Sequence, residues 1–442
     1  MDICNDPLFV DLDGTYTKTD LLFESAFNLI KSSPIMGIAI IFWLMKGRSY
    51  LKYRLADLSR VDVTLLPLNP ELENFVRNER SRGRKIYLAT ATNEKYAEQF
   101  VDKYDIFDGY IASTKTVNLK GEEKLNKILG ISEQFGYAGN DAVDFKIFKK
   151  SNQSILVNPS RSALKLTKKH KVDKKFDESK FSIGIWLKQL RIHQWLKNAL
   201  IFVPLVVSGL FTDIDSVVFS ILAFISFSFL ASSTYILNDL LDLDSDRSHP
   251  RKSKRPLAAG NISIPQSISV GTCLLFSSFF LGWLISPLYL LVLLGYLFLT
   301  LFYSIKLKEY IGMDVVTLAL LYTVRILAGS EAIDVVISFW LFAFSIFIFL
   351  SLALVKRCSE LRSMVIEGES RAKGRDYTID DYSMLKSFGS SSSLVAVLMF
   401  CFYINNNVLT NQYQEPDLLW LITPALCYWL MRMWIKTHRG EM

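Results

Sequence analysis

The chain has 442 residues, half of them hydrophobic and 21% charged, with a formal net charge of +7. Its mean hydropathy of +0.25 excludes a disordered protein, and its length favours more than one domain. The apolar residues cluster after about residue 180, so one large soluble domain fits poorly. Five scattered cysteines show no metal-ligand spacing, which argues against a disulfide scaffold and against a zinc site.

The N-terminal third alternates short apolar strands with helical segments. Strands are predicted at 7–10, 84–90, 135–139 and 154–158, a βαβ pattern typical of an α/β domain with a parallel sheet. Polar side chains follow these strands, where α/β folds place their chemistry, and they suit Mg²⁺-assisted phosphoryl transfer. These side chains are Asp11, Asp13, Thr90, Lys124, Asp141 and Asp144.

The segments DLDGT, LATAT, the lone Lys124 and GNDAVD resemble, in that order, the motifs of the haloacid dehalogenase (HAD) phosphatase superfamily, across residues 5–160. The resemblance implies a Rossmannoid sheet with a small cap. It makes Asp11 the nucleophile and Asp13 the general acid/base, with Thr90 and Lys124 on the phosphate. Mg²⁺ would be held by Asp11 and Asp13 with Asp144 or Asp141. The usual Gly-Asp of the last motif is Gly139-Asn140 here, so an inactive HAD-like scaffold is the alternative.

An apolar stretch, PIMGIAIIFWLM at 34–45, lies between the first two motifs. Twelve residues are too few to span a bilayer as a helix. The stretch is predicted to be a cap segment that touches the membrane interface, and ordinary core packing is the alternative.

Long uncharged segments predict a polytopic membrane protein. Lysine and arginine are confined to alternate connections, so both termini and the active sites are expected on the cytoplasmic side of the inner membrane. The predicted domains are 1–162 (phosphatase-like), 163–184 (a basic linker near anionic lipid headgroups) and 185–442 (membrane domain). The eight candidate spans are 198–211, 216–237, 266–285, 288–305, 314–330, 335–355, 384–404 and 416–435.

Acidic residues end the second candidate span. Asn238 precedes Asp239, Asp242 and Asp246, whose spacings of three and four predict one helical face. Three carboxylates so close together require a cation between them, and a Mg²⁺-diphosphate is the expected ligand. A solvated loop carrying charges of both signs is the alternative. The basic residues that follow and could contact the phosphates are Arg247, Arg251, Lys254 and Arg255.

This acidic motif resembles the UbiA superfamily of intramembrane transferases, over about residues 185–440. The segments 190–205, 303–308, 314–329 and 352–361 look like its decaprenyl-phosphate phosphoribosyltransferase branch. The resemblance implies an all-α helical bundle, usually of nine spans. Eight are counted here, so either the last helix is missing or two have been merged.

The resemblance also implies an activity, Mg²⁺-dependent transfer of 5-phosphoribose from phosphoribosyl pyrophosphate to a polyprenyl phosphate. Asp239 and Asp242 would act in catalysis and, with Asp246, would bind Mg²⁺. Arg325 lies inside a span, where a cation is functional or paired by default, with Glu331 or Asp314 as candidate partners. The other candidates for binding the substrate phosphates are Lys197, Asn238, Tyr303, Lys308, Lys356 and Arg357.

The fusion of the two domains suggests that the phosphatase-like domain removes the 5-phosphate of the product, giving polyprenylphosphoryl ribose. The expected partners are phosphoribosyl pyrophosphate, polyprenyl phosphate and membrane lipids, without nucleic acid, and an oligomer is left open. One alternative is an aromatic prenyltransferase of quinone or haem biosynthesis, which the missing second acidic motif in KLKEYIGMD disfavours. Another is a membrane scaffold or transporter, which the edge position of the acidic residues disfavours.

Overall fold

The computed structural model describes residues 6–167, 172–177, 182–367, 376–405 and 416–442. The chain divides into two compact units, Met1–Gln189 with Asp239–Ser269, and Leu190–Asn238 with Val270–Met442. The acidic segment, predicted to be part of the membrane domain, therefore belongs to the same unit as the N-terminal residues. Parts of the predicted basic linker, 168–171 and 178–181, lie outside the described residues.

A six-stranded parallel sheet forms the centre of the N-terminal unit, which confirms the predicted α/β fold. The strand order is β3-β2-β1-β4-β5-β6, so the first strand is central. Four strands match the predictions, whereas β3 and β6 were not predicted, and β6 lies inside the segment 163–184. The strands are Leu8–Val10 (β1), Ile86–Asn93 (β2), Gly109–Ser113 (β3), Gly136–Gly139 (β4), Gln153–Val157 (β5) and Lys174–Phe176 (β6).

Four helices lie between β1 and β2, and the first three occupy the position of the predicted cap, with an isolated bridge between Thr17 and Leu68 closing the base of this insertion. The first of them begins after Asp20, whose carboxylate accepts from the Leu22 amide at 2.8 Å. The helices up to residue 189 are Leu21–Ser32 (α1), Met36–Met45 (α2), Arg48–Leu58 (α3), Pro70–Ser81 (α4), Glu94–Lys103 (α5), Glu122–Leu129 (α6), Phe145–Phe148 (α7), Arg161–Thr167 (α8) and Ile183–Gln189 (α9).

The sheet is covered on both faces, as its almost continuous apolar strands require. Successive residues of β1 point to opposite sides: Leu8 and Val10 join one buried cluster, and Phe9 joins the other. All three side chains are fully buried. This core fixes the ends of the strands, which carry the polar side chains described below.

Seven helices in the described part of the chain are long and apolar enough to cross a membrane. They match seven of the eight predicted spans. The eighth, 198–211, is not among them, because the apolar helix in this region, Ile192–Val207, is shorter than a span: a 3₁₀ segment, Ile192–Phe202, leads into a short α-helix, and Gly209 at φ +73° follows it. The remaining helices are Val203–Val207 (α10), Ile214–Leu241 (α11), Leu243–Ser248 (α12), Ile264–Ile285 (α13), Pro287–Ile305 (α14), Met313–Ala332 (α15), Phe339–Glu367 (α16), Tyr382–Ile404 (α17) and Ile422–Arg439 (α18).

Small residues let the apolar helices approach closely. The Ser226 hydroxyl donates to the Ser278 carbonyl at 2.9 Å, which joins α11 to α13. The Trp434 indole of α18 donates to the hydroxyls of Ser351 and Ser393 at 3.0 and 2.8 Å. A Cβ at Gly389 would lie 2.1 Å from the Trp434 ring, so only glycine fits there. Close contacts between small residues and interhelical hydrogen bonds are the means by which helices associate in lipid.

Candidate active sites

Four side chains meet at the ends of β1 and β4, as the HAD resemblance predicts for three of them. The Lys124 ammonium lies 2.9 Å from Asp11 Oδ1 and 3.7 Å from Asp144 Oδ1. The Tyr137 hydroxyl lies 3.0 Å from Lys124 Nζ and donates to Asp144 Oδ1 at 3.0 Å. All of these groups are buried, so one lysine offsets two carboxylates in a nearly dry site.

Two glycines make room for this cluster. A Cβ at Gly139 would lie 2.8 Å from Asp144 Oδ2, so the last motif needs glycine there. Gly14 has φ +69°, and a Cβ on it would lie 2.2 Å from Asn140 Nδ2. The asparagine that departs from the family pattern therefore lies against the backbone turn of the first motif.

Asp13 lies in the same turn but has different partners. Its Oδ1 accepts from the Leu21 amide at 2.9 Å, and its Oδ2 accepts from the Thr92 hydroxyl. Lys52 of α3 reaches the Ala91 carbonyl at 2.6 Å, next to Thr92. Burial lowers the pKa of Lys52, while the nearby Asp13 and Asp20 oppose that shift. The cap insertion thus contributes a cation beside the predicted general acid.

Burial raises the pKa of both aspartates of the first motif. Burial raises the pKa of Asp11 to about 7, and the Lys124 ammonium partly opposes this rise. Burial, and next the charge of Asp20, raise the pKa of Asp13 to about 6. A group that gives and takes a proton works best when its pKa lies near the working pH, and Asp13 meets this condition.

The two remaining predicted residues of this site have local partners. The Thr90 hydroxyl is fully buried inside β2, which runs on to Asn93, and it accepts from the Thr92 amide at 3.0 Å. Asp141 Oδ1 accepts from the Ala142 amide at 2.7 Å and so caps a short 3₁₀ turn. The phosphate role of Thr90 and the metal role of Asp141 remain predictions.

A cavity of about 180 Å³ adjoins this turn. Asp13, Asp20, Glu24 and Asn140 contribute its polar lining. Residues 263–265, which lead into α13, complete the wall within the same unit. The volume exceeds that of a few water molecules and can admit a phosphate group.

A second polar cluster lies in the segment 239–269. The Arg255 guanidinium bridges Asp239 Oδ1 at 3.1 Å and Asp246 Oδ2 at 2.6 Å. The Gln189 amide donates to Asp239 Oδ2 at 3.0 Å. Both carboxylates are at most 4% exposed, whereas the Arg255 side chain is one-third exposed. The partly exposed arginine thus neutralises two buried carboxylates from the side that faces solvent.

The three acidic residues do not share one continuous helical face, so that expectation was wrong. Helix α11 ends at Leu241, and Asp242 leaves the helix before α12 begins at Leu243. Asp242 is exposed, while Asp239 and Asp246 are brought together by Arg255. Asn238 is half-buried on the last turn of α11.

The chemistry of this cluster fits Mg²⁺. Among the described atoms, the buried Asp246 Oδ1 and Gln189 Oε1 have no hydrogen-bond partner. Two carboxylates and an amide oxygen are hard donors of the kind that Mg²⁺ takes beside substrate phosphates. No group of three or more Asp, Glu, His or Cys side chains in the described residues is arranged as a metal site. A metal here would therefore complete its shell with substrate oxygens.

Arg247, predicted to bind phosphate, is committed to another carboxylate. It forms a two-pronged ion pair with Glu24 of α1, at 2.6 and 3.1 Å. Both side chains are about 95% buried. This pair attaches the acidic segment to the cap helix within one unit.

Glu24→Gln is expected to lower the melting temperature of the purified chain, because it leaves the Arg247 charge buried and unpaired. Breaking a buried pair from one side costs about 3 kcal/mol or more. Glu24→Leu combined with Arg247→Met is the matched control and should recover much of the loss. The melting temperature would be measured in detergent from tryptophan fluorescence. An unchanged melting temperature of Glu24→Gln would contradict the pairing.

Arg325 is held inside α15 without a carboxylate in the described part of the chain. Its Nε donates to Asn198 Oδ1 at 2.8 Å. Three aromatic rings, those of Phe227, Tyr296 and Tyr322, surround its guanidinium at 5.2 to 5.4 Å. Neither candidate partner, Glu331 or Asp314, forms an ion pair with it, and Asp314 pairs with Arg357 instead. Cation–π contacts and hydrogen bonds to Asn198, the Leu321 carbonyl and the Tyr296 hydroxyl hold this charge instead.

The other cations predicted for phosphate are not gathered into one described cluster. Arg357 is 1% exposed and forms an ion pair with Asp314 at 2.5 Å, which also accepts from Tyr377. Lys197 is exposed and donates to Gln194 at 3.2 Å. Tyr303 and Lys308 are half-buried, and Lys356 is exposed. Arg357 therefore has a structural partner, and the roles of the others remain predictions.

Sequence reasoning missed several residues of these sites. Gln189 and Glu24 contact residues 50 and 223 positions away, and no local pattern indicates such contacts. Tyr137 carried a usable signal, because a hydroxyl in a short buried strand needs a partner. Thr92 and Lys52 could be found only once the cap and the end of β2 were placed.

Comparisons with known proteins identify the membrane part. The UbiA prenyltransferase family model matches residues 200–441. The uncharacterised protein y4nM of Sinorhizobium fredii is 34% identical over 99% of this chain and 85% of its own length. Decaprenyl-phosphate phosphoribosyltransferase of Mycolicibacterium smegmatis is 33% identical over 52% of this chain and 75% of its own length.

One solved structure, a UbiA homolog from Archaeoglobus fulgidus bound to GPP and Mg²⁺, covers 58% of this chain and 88% of its own, at 21% identity and a TM-score of 0.48. The family match covers more than half of the chain and includes the seven apolar helices. The protein is thus an integral membrane protein with a parallel α/β domain at its N-terminus. The chain belongs to the UbiA prenyltransferase family.

Proposed function

We propose that this chain transfers 5-phosphoribose from phosphoribosyl pyrophosphate to a polyprenyl phosphate and then removes the 5-phosphate. The buried pair of Asp239 and Asp246, neutralised by one arginine, carries the first half of the proposal. Such a pair suits a metal-diphosphate, because Asp246 Oδ1 has no hydrogen-bond partner among the described atoms and the Arg255 cation beside it is exchangeable. Similarity to the decaprenyl-phosphate phosphoribosyltransferases supports the choice of donor and acceptor.

The donor would bind with its diphosphate at this acidic pair. Mg²⁺, when bound, would neutralise the charge that develops on the leaving diphosphate. Asp239 and Asp246 would hold the metal, and Gln189 fixes Asp239 through its amide. Arg255 is one-third exposed, so its guanidinium can turn from the carboxylates to a phosphate oxygen. Asp242, exposed beside the pair, would complete the acidic set when the donor is present.

The acceptor needs no general base, because a polyprenyl phosphate is already an anion at neutral pH. Its oxygen would attack the anomeric carbon opposite the departing diphosphate, which inverts that carbon. Arg325 is suited to guide this anion, because its buried charge has no carboxylate partner among the described residues. Charge placement would then supply most of the rate enhancement.

The second step would take place in the HAD-like domain. Asp11 would attack phosphorus and expel the ribose hydroxyl, and Asp13 would give that leaving oxygen its proton. Water would then release phosphate from Asp11, with Asp13 taking the proton. Lys124 offsets the negative charge beside Asp11, and the 180 Å³ cavity next to Asp13 offers room for the substrate. Both sites are proposed to face the cytoplasm, together with both termini.

Lys124→Met is expected to move the acid limb of the pH profile for phosphate release to higher pH. Asp11 must be ionised to attack, so activity falls as the pH drops through the pKa of that carboxyl. Burial raises this pKa to about 7 and the Lys124 ammonium holds it down, so removing the cation raises it further. Lys124→Arg is the matched control and should keep the limb near its native position. A Lys124→Met limb displaced to lower pH would contradict the assignment.

Donor competition tests the proposed function. The purified chain in lipid nanodiscs with Mg²⁺ would be given labelled phosphoribosyl pyrophosphate and polyprenyl phosphate. We expect label in the lipid fraction, and no inhibition by geranyl diphosphate at equal concentration. Displacement of the label by geranyl diphosphate, together with transfer of its prenyl group to an aromatic acceptor, would establish the aromatic prenyltransferase alternative instead.

A further inference from the structure

The second helix of the cap, α2, packs through only one of its faces. Met36, Ile40 and Trp43, spaced four and three residues apart, contact the small core formed by Leu29, Leu51 and Leu55 of α1 and α3. None of the ten residues of α2 is fully buried. The contacts within the cap therefore account for one side of a helix that is apolar on every side.

The opposite face exposes a continuous set of large apolar side chains. Each is between 51% and 79% exposed, a size of patch that soluble surfaces rarely leave to water. None of them has a polar atom in its side chain, so the patch offers no specific hydrogen bonds to a protein partner. The residues are Ile35, Ile38, Ile41, Phe42, Leu44 and Met45.

The length and the flanking charges of α2 match the surface layer of a bilayer. Ten helical residues extend about 15 Å, half of the roughly 30 Å of hydrocarbon that a spanning helix must cross. Exposed cations, Lys46 and Arg48, follow the apolar run, and Arg54 lies over the Trp43 ring at 5.2 Å. Cations beside an apolar face favour anionic headgroups.

We propose that the exposed face of α2 inserts into the headgroup and acyl boundary of the bilayer that holds the seven apolar helices. We assign the bilayer as the partner of this face, because the chain itself is anchored in a bilayer and a lipid surface is therefore always nearby. Insertion would hold the cap, including Lys52, at the membrane surface. It would restrict the HAD-like domain to phosphates carried on lipids, whatever the identity of the group attached to them.

Site-specific quenching tests this insertion in the full chain. An environment-sensitive fluorescent amino acid would replace Ile41 in protein reconstituted at one copy per nanodisc with anionic lipid. Ile131, an exposed apolar residue elsewhere in the same unit, is the matched control position. We expect the probe at position 41 to be quenched by shallow spin-labelled lipid and shielded from aqueous iodide. The probe at position 131 should show the opposite pattern.

Two outcomes would overturn the proposal. Equal iodide quenching at positions 41 and 131 would show that the face stays in water. Shielding that appears only in nanodiscs with two copies would assign the face to a second copy of the chain. The double variant Ile38→Glu/Ile41→Glu, with the probe at position 42, gives an independent check. The two charges lie on the exposed face, so they should not unfold the cap. They should prevent insertion, and iodide should then quench the probe.

Discussion

Asp239→Asn is expected to reduce phosphoribosyl transfer by about 100-fold or more, the scale of losing one preorganised electrostatic contact at a reacting centre. Asp239 is buried, shares Arg255 with Asp246 and accepts from Gln189, so the substitution changes charge with little change in shape. The measurement is the initial rate of label transfer from phosphoribosyl pyrophosphate to the lipid fraction with Mg²⁺ in excess. Asp242→Asn should show a loss of similar size.

Asp244→Asn is the matched control for this series. It lies in the same segment, is about half exposed, and its described ion pair with Lys31 is long, at 3.9 Å. Surface pairs of this kind contribute little, so its rate should stay within about twofold of the native rate. Normal transfer by Asp239→Asn and Asp242→Asn would show that the acidic cluster is not the donor site.

Asp11→Asn is expected to reduce the rate of phosphate release from purified lipid-linked phosphoribose by about 1000-fold or more, because the variant has no nucleophile. The transfer step should keep its rate, since Asp11 is absent from the acidic cluster. Reactions started from phosphoribosyl pyrophosphate should then accumulate the phosphorylated lipid. Chromatography of the lipid products measures both steps in one sample.

Asp62→Asn is the control for Asp11→Asn. Asp62 caps a short 3₁₀ turn in the same unit, so its loss should leave phosphate release intact. Release of phosphate by Asp11→Asn at the native rate would mean that the N-terminal α/β domain is an inactive scaffold. The transferase proposal would be unaffected by that result.

Local patterns in the sequence were sufficient to predict the α/β fold. The continuous apolar run of Leu8, Phe9 and Val10 marks a strand buried on both faces, and Asp11 and Asp13 follow it directly. The order of the later motifs, through the HAD resemblance, predicted Lys124 and either Asp144 or Asp141 near Asp11, and Lys124 and Asp144 lie there. Strand β3, GYIAS, begins with glycine and ends with serine, and β6 is formed partly of lysines at the edge of the sheet, so neither was predicted.

The partners of buried charges could not be predicted from the sequence. Arg247 follows the acidic residues directly, yet it pairs with Glu24, more than two hundred residues earlier. Arg325 was predicted to be either functional or paired with a carboxylate, and aromatic rings and Asn198 hold it. A periodic pattern also assumes an unbroken helix, and α11 ends just before Asp242. Such choices depend on tertiary contacts, which spacing along the chain does not encode.

The most direct test of the two-step account follows a donor labelled in both its ribose and its 5-phosphate. The native chain in nanodiscs with polyprenyl phosphate and Mg²⁺ should place the ribose label in the lipid and release the 5-phosphate label as inorganic phosphate. Asp11→Asn protein should keep both labels on the lipid. Absence of the ribose label from the lipid fraction in both proteins, under conditions where the donor binds, would contradict the account.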